Sequence, residues 1–458
     1  MGISSVGAGS NILTQDVLDK LRAADEAGQI KPVTLSLANE NDKKKALKVI
    51  DASMSNLIDS INEIKSKSLY DERKTDVSGT SAAVTASPKS DVQNFTLNVT
   101  TLATKQIEQS GSFSGEDALV SGGAGQINLN IDGQDFAIDY EATTTLKELK
   151  NMINEVAGDK VNATVVQIGA GDFRMFLSSK DTGTTQDIKI TDVTGTIDSR
   201  LSTAFDAAAV QNGKDAEFTF NGQAITRTSN NVDDLITGLK ITLKDTGVTT
   251  VNIEQDLDKI MSKFDSFVEK YNATITELDK MTKPSTDSGD RGIFSGDSTI
   301  KGMKRSIQDM ISSIGGGVGT MLDYGFDMSK EGKMSLDKTV LKDKINENTS
   351  NVEVFFSGGD FDNGDGTKTT VAGAFTQFSA KVEGYTKYNA TLDQLKNSFT
   401  QNITSLEERK TRATERLDAK YEILRKQFIA YDLIINKINS ASSMFVQMAN
   451  AQTAAQKN

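Results

Sequence analysis

Five short stretches combine residue types that could do chemistry. Asp360-Phe-Asp362-Asn-Gly-Asp365-Gly366 gathers carboxylates and glycines in the manner of a loop for a hard cation. If Gly366 is the sharp-turn glycine, the first ligand position falls on Phe361 and the last on Ala372, so two carboxylates are lost. The stretch reads as an exposed acidic loop. Gly169-Ala-Gly171 imitates the start of a dinucleotide fingerprint, but Arg174 stands where the third glycine belongs. It also lies between two strand-like runs rather than before a helix, which makes it a hairpin turn. Gly315-Gly-Gly317 is not followed by Gly-Lys-[Ser/Thr], so it is a flexible break rather than a phosphate loop. The paired carboxylates Glu407-Glu408 and Asp233-Asp234 sit on faces expected to be solvated, where no pocket would raise a pKa for acid catalysis.

What is missing narrows the chemistry further. The 458 residues include no Cys, no His and no Trp. Thiol nucleophiles, imidazole bases, Ser-His-Asp triads and structural zinc sites are thereby excluded. No nucleophile, base and cofactor can be named together, so we expect no enzyme activity, no metal and no cofactor. Disulfides are impossible, and stability outside a cell must come from packing and assembly. A net charge of −12 lacks the basic face of a general nucleic-acid binder. No apolar run approaches the ~18–20 residues that span a bilayer. Met1-Gly2-Ile3-Ser4-Ser5-Val6-Gly7 has neither the basic nor the apolar region of a cleavable signal.

The elements that would carry any site divide by hydrophobic period. A short amphipathic helix presents Ile12, Leu13, Val17, Leu18 and Leu21, and Pro32 then breaks the pattern. Leu47, Ile50, Met54, Leu57, Ile61 and Ile64 recur at alternating spacings of three and four. That stripe is either a heptad seam or the core face of an ordinary helix. From Ser78 the period becomes two, as in Phe95, Leu97 and Val99. Ile127–Ile131 and Phe136–Tyr140 flank Asp132-Gly133, a strong hairpin signal, and Thr145-Leu-Lys-Glu148 is a capping box opening a helix. The order partly repeats at Glu217–Phe220, Asn221-Gly222 and Gln223–Thr226, followed by a short helix near Val232–Leu235. We read two related β modules, the first inserted within the second.

Helical period returns at Asp256 and again along Ile300, Met303, Ile307 and Met310, before a hairpin around Lys330-Glu-Gly332. The C-terminal stretch is the most regular. With Ile403 at position a, the later a positions are Lys410, Leu417, Leu424, Tyr431, Ile438 and Phe445. The d positions are Leu406, Ala413, Lys420, Gln427, Ile434, Ala441 and Met448, so only Lys410, Lys420 and Gln427 interrupt the seam. A pattern this long favours a coiled coil.

The fold class expected is α+β multidomain, a terminal coiled-coil stalk with a β-rich head of two nested modules. Residues 1–40 would be a flexible N-terminal leg segment and 41–77 the N-terminal stalk helix. Residues 78–117 and 199–255 would form the outer head module around an inserted module at 118–198. Residues 256–375 would hold stalk helices with a small hairpin, and 376–458 the C-terminal coiled-coil helices and leg. The candidate assembly residues are Leu47, Ile50, Met54, Leu57, Ile61, Ile64, Leu406, Leu417, Leu424, Tyr431, Ile438 and Phe445.

The same ordering resembles the flagellar filament-capping, hook-associated FliD family over nearly the whole chain. Val6-Gly7-Ala-Gly9-Ser10 with Val17–Leu21 is similar to the family opening, although Asn11-Ile12-Leu13 departs from it. Tyr70-Asp71 with Lys74 and Ser81–Ser87 resembles its passage from stalk to head, and Phe95–Val99 with Leu102-Ala103 its first head strand. Phe267-Val268, Tyr271-Asn272, Gly296–Thr299, Gly325-Phe326, Gly332–Asp337 and Val354–Phe356 resemble its C-terminal half. Leu417–Phe428 is the most specific match.

The resemblance implies a homo-oligomeric ring, a pentamer, capping the distal end of a bacterial flagellar filament. There it would promote folding and insertion of exported flagellin and prevent its loss. It further implies hook–filament junction proteins and a cytoplasmic export chaperone as partners, with no nucleic acid and no membrane insertion. The location implied is the extracellular flagellum tip, reached through flagellar type III secretion without a cleavable signal. A filament or junction subunit and a surface adhesin are the two alternatives.

Overall fold

The structure, a computed structural model, describes residues 14–202, 205, 209–287, 289–313 and 317–455. The chain forms two compact units, one from residues 67–260 and one from residues 1–66 together with 261–458.

Residues 67–260 are built from antiparallel sheets. The first strands are β1 (Arg73–Ser78), β2 (Ala82–Ala86), β3 (Gln93–Thr101) and β4 (Lys105–Gln109). The hairpin β5 (Gly125–Ile131) and β6 (Gln134–Tyr140) turns on Asp132-Gly133, both at positive φ as such a turn requires. Thr145 and Glu148 form the expected capping box on the helix Leu146–Val156. After it come β7 (Val161–Gly169), β8 (Asp172–Thr182) and β9 (Ile188–Thr194). Ala170-Gly171 makes the turn between β7 and β8, so the glycine pair there serves a hairpin. The last strands are β10 (Ala216–Phe220), β11 (Gln223–Arg227), β12 (Asn231–Val232), β13 (Leu239–Leu243) and β14 (Gly247–Gln255).

Two cores result. Sheets β1-β14-β3-β10-β11 and β12-β13-β2 enclose Val84, Phe95, Leu97, Phe218, Ile241 and Val251. Sheets β4-β8-β7 and β6-β5-β9, with the helix Leu146–Val156, enclose Leu129, Ile131, Leu149, Met175, Leu177 and Ile190. The inner core reaches further than the expected 118–198. β4 pairs with β8, and Phe113, Leu201 and Phe205 are buried with it. β4 buries Gln106 and Glu108 rather than apolar side chains, so no hydrophobic alternation marks it, and its pairing partner is chosen over long range. The expected short helix near Val232–Leu235 is also absent. Asn231-Val232 pairs with β13 instead.

The helical unit opens with a helix at Gln15–Gln29, whose first turn is capped by the Thr14 side chain accepting from the Val17 N–H at 3.4 Å. Ile12 and Leu13 lie outside the described residues. Only Ile30 separates this helix from Lys31–Ile64, and Pro32 sits in the first turn of the second helix. Proline there lacks only an N–H that would be unpaired anyway, so it starts a helix rather than breaking one. Residues 15–40 are therefore helical rather than a flexible segment. The second helix ends at Ile64 and the strand β1 begins at Arg73, well before residue 77.

Helices Leu257–Thr282, Ser298–Ser313, Lys338–Ser357 and Ala374–Thr386 follow, and Thr391–Ala455 closes the chain as one 65-residue helix. At 1.5 Å per residue that last helix is roughly 100 Å long. Ile311, not Met310, continues the buried stripe of Ser298–Ser313. Gly315 and Gly316 lie outside the described residues. The core of the unit is aromatic, with Phe267 edge-on to Phe375 at 4.6 Å and Tyr324 stacked on Phe355 at 3.9 Å.

Two hairpins decorate this unit, where one was expected. β15 (Phe326–Met328) pairs with β16 (Met334–Leu336). Asn272 clamps that hairpin by donating to the Met334 carbonyl and accepting from its N–H, both at 2.8 Å. β17 (Gly359–Asp362) pairs with β18 (Lys368–Val371), so the presumed acidic loop is a hairpin whose tip alone is irregular.

Candidate assembly surface

The candidate residues separate into two groups. Leu47, Ile50, Met54, Leu57, Ile61 and Ile64 are all buried, at 3% exposure or less. The helix that carries them packs against Thr391–Ala455 and Ala374–Thr386. Their seam is thus closed inside the chain. Leu417 is buried, while Leu406 and Leu424 are half-buried. Tyr431, Ile438 and Phe445 are 58%, 61% and 67% exposed.

The buried stripe of the C-terminal helix follows a different register from a strict heptad. Ile403, Ala413, Leu417 and Tyr421 are buried, and Leu424 and Phe428 pack beside them. Two successive steps of four residues, 413 to 417 to 421, carry the stripe past Lys420 and Gln427, which are exposed. A straight helix drifts against a seven-residue repeat, and the extra step corrects that drift. The assignment of Lys420 and Gln427 to the seam is therefore wrong, and Tyr421 and Phe428 take their places.

Lys420 has another task beside the first helix. Its ammonium lies 2.6 Å from Asp25, and the Tyr421 hydroxyl donates to the same carboxylate at 2.7 Å. Arg22 meets Asp418 at 2.5 Å. Around this clasp Leu18, Leu417 and Tyr421 form a small core with Ile30, Leu424 and Phe428. The Lys420 ammonium, then the Tyr421 hydroxyl, hold Asp25 below the usual carboxylate range. Burial, then the bond to Asp25, pushes the Tyr421 hydroxyl up to about 12.

Beyond residue 421 the helix changes character. Ile423, Tyr431, Leu433, Ile434, Ile438, Met444, Phe445, Val446 and Met448 are each about half exposed or more. At 3.6 residues per turn they cover well over half of the helix circumference, wider than a two-stranded seam. Heptad counting missed Leu433, Met444 and Val446 because they lie off the a and d positions. A plain tally of apolar residues after 430 would have found them.

The carboxylate pairs stay solvated. Glu407, Glu408, Asp233 and Asp234 are exposed, and Arg227 at 3.0 Å holds Asp234 below its ordinary value. Among the described residues no group of three or more acidic side chains could hold a metal ion. No helix among them is long and apolar enough to cross a membrane.

Against this geometry, sequence comparison is decisive. A family model described as flagellar hook-associated protein 2 N-terminus matches residues 10–106, and one described as flagellar hook-associated protein 2 C-terminus matches residues 213–440. The chain belongs to the flagellar hook-associated protein 2 family. The two family matches end and resume around the inner core of the β unit, which occupies Phe113–Phe205. Flagellar hook-associated protein 2 of Campylobacter jejuni is 26% identical over 413 residues, covering 78% of this chain and 64% of that relative. That of Helicobacter pylori is 32% identical over 264 residues, and the chain spans only 38% of its length. That of Aeromonas caviae is 24% identical over the full length of both. In fold, the chain is similar to the D1-D2-D3 domains of the Escherichia coli flagellar cap protein FliD. The TM-score is 0.61 at 19% identity, over 78% of this chain and 99% of that one. The likeness extends to the α+β architecture described above.

Proposed function

We propose that this chain caps the distal end of a bacterial flagellar filament as a structural assembly protein without catalytic activity. The observation that carries this reading is the apolar C-terminal end of Thr391–Ala455. Tyr431, Ile438 and Phe445 are more than half exposed, and their apolar area is too large to leave in water without cost. Apolar helix surface of this kind suits a groove between other helices, such as those of a helical polymer. Family membership supplies the polymer: the filament. Copies of the chain would form a ring, a pentamer in our reading, outside the cell at the filament tip. The chain would reach that place through the flagellar secretion channel.

In mechanism, the exposed C-terminal ends occupy gaps between flagellin subunits while the ring shelters newly exported flagellin as it folds. Several modest contacts held by one ring keep the cap attached while single contacts release and re-form. An export chaperone covering the apolar end before secretion, and junction proteins contacted before filament growth, complete the partners proposed.

The test is a truncation placed by the structure. Removal of residues 431–458 takes away the exposed apolar end but leaves Leu417 and Tyr421 packed at Leu18. A cell carrying it should make the protein, secrete unpolymerised flagellin and lack filaments. Normal filaments and motility in that strain would sink the proposal.

A further inference from the structure

The chain carries a net charge of −12, yet one groove of the helical unit runs against that trend. Lys280, Lys283, Lys301, Lys304 and Arg305 line an open groove of about 640 Å³ at the end of Leu257–Thr282 and along Ser298–Ser313. Asp279 is the single acid among the lining residues, and Lys304 pairs with it. Lys283 pairs with Asp290 at 2.5 Å. Lys280, Lys301 and Arg305 are exposed and form no ion pair among the described residues. Lys301 and Arg305 stand four residues apart on one helix, where like charges repel and cost stability. A local cost of that kind is offset when an anionic partner arrives.

The complementary surface lies on the same unit. The β17–β18 hairpin presents Asp362 and Asp365 at an exposed tip and Asp360 nearer its base, and none of the three is ion-paired among the described residues. The tip is pre-shaped. Asn351 donates to the Asp362 carbonyl at 2.8 Å and accepts from its N–H at 2.9 Å. Asn363 donates to Thr367 at 2.9 Å and to Thr369 at 3.1 Å. A stiff tip loses little conformational freedom on docking.

We propose that the basic groove of one copy receives the acidic β17–β18 tip of the next. The two surfaces differ, so the contact is head-to-tail, and repetition of a head-to-tail contact closes a ring when the rotation allows. The proposal rests on the reading that the chain assembles with itself. Opposite charge at such a contact sets register and speeds encounter, and added salt weakens it.

The experiment uses the full chain in sedimentation velocity over a range of concentrations, at low and moderate salt. Lys301→Glu with Arg305→Glu should weaken self-association about tenfold, as should Asp362→Lys with Asp365→Lys. The fourfold variant, in which both signs are exchanged, should regain most of the loss. The milder Lys301→Gln with Arg305→Gln should fall between, and circular dichroism should show unchanged helix content throughout. Oligomers indifferent to every reversal would overturn the docking while leaving self-assembly intact, as would losses that merely add in the fourfold variant. A groove reversal that changes only the binding of a DNA oligonucleotide would overturn it too. A wild-type chain that stays monomeric at all concentrations would sink both the docking and the assembly reading beneath it.

Discussion

The Tyr421 hydroxyl donates to the Asp25 carboxylate at 2.7 Å, tying the C-terminal helix to the first helix beside the small core of Leu18, Leu417 and Tyr421. Lys420 and Arg22 add ion pairs to the small apolar core there. The attachment should respond to pH at both ends of the range.

The direction follows from the two titrations. Asp25 is held below its usual range in the folded chain, so its contribution is present above the ordinary carboxylate value and is lost as pH falls through the lowered one. Tyr421 is raised from 10.0 to about 12, so its contribution is complete below 10 and is lost as pH rises towards 12. Hydrogen-exchange protection of residues 15–29 should therefore be greatest between these limits. Tyr421→Phe should reduce the alkaline fall and keep the acid one. An identical profile in that variant would refute the assignment.

The seam of Lys31–Ile64 should behave as a core. Leu57→Ala or Ile61→Ala, each at a fully buried site, should cost about 2–5 kcal/mol in urea denaturation of the helical unit. Leu35, 62% exposed on the same helix, should tolerate alanine within about 0.5 kcal/mol. Equal effects at the two positions would mean that the seam is not closed within the chain.

The clamp of Asn272 on Met334 satisfies one backbone N–H and one carbonyl. Asn272→Ala leaves both without that partner and should cost about 1–3 kcal/mol, with Asn272→Asp restoring only the bond that accepts from the N–H. Faster exchange at the Met334 amide is the direct readout. No change there would show that water replaces the clamp.

In the inner β core, Thr145 accepts from the Glu148 N–H at 3.2 Å while the Glu148 carboxylate accepts from the Thr145 N–H at 2.9 Å. Thr145→Ala should lower the stability of this module by about 1 kcal/mol. Because its core is separate from the outer one, the outer sheet should unfold at an unchanged midpoint.

Much of this was legible because local periodicity has a local cause. Asp132-Gly133 and Asn221-Gly222 turn their hairpins because both central residues of such a turn need positive φ, which these four residues adopt. The buried stripe from Leu47 to Ile64 was readable because a helix places every third or fourth residue on one face. The absence of Cys and His excluded whole classes of chemistry before any fold was known.

Only the tertiary structure decided which faces meet. β14 lies between β1 and β3, although some 150 residues of chain separate it from β3, and nothing in its own alternation names those neighbours. The stripe on the C-terminal helix passes through Tyr421 rather than Lys420 because Tyr421 packs with Leu18 and Leu417, while the exposed Lys420 reaches Asp25 from outside that core. Sequence period tells each element which face to bury. The partner that covers the face is selected by packing and hydrogen bonding across the whole chain, and Tyr431, Ile438 and Phe445 stay more than half exposed.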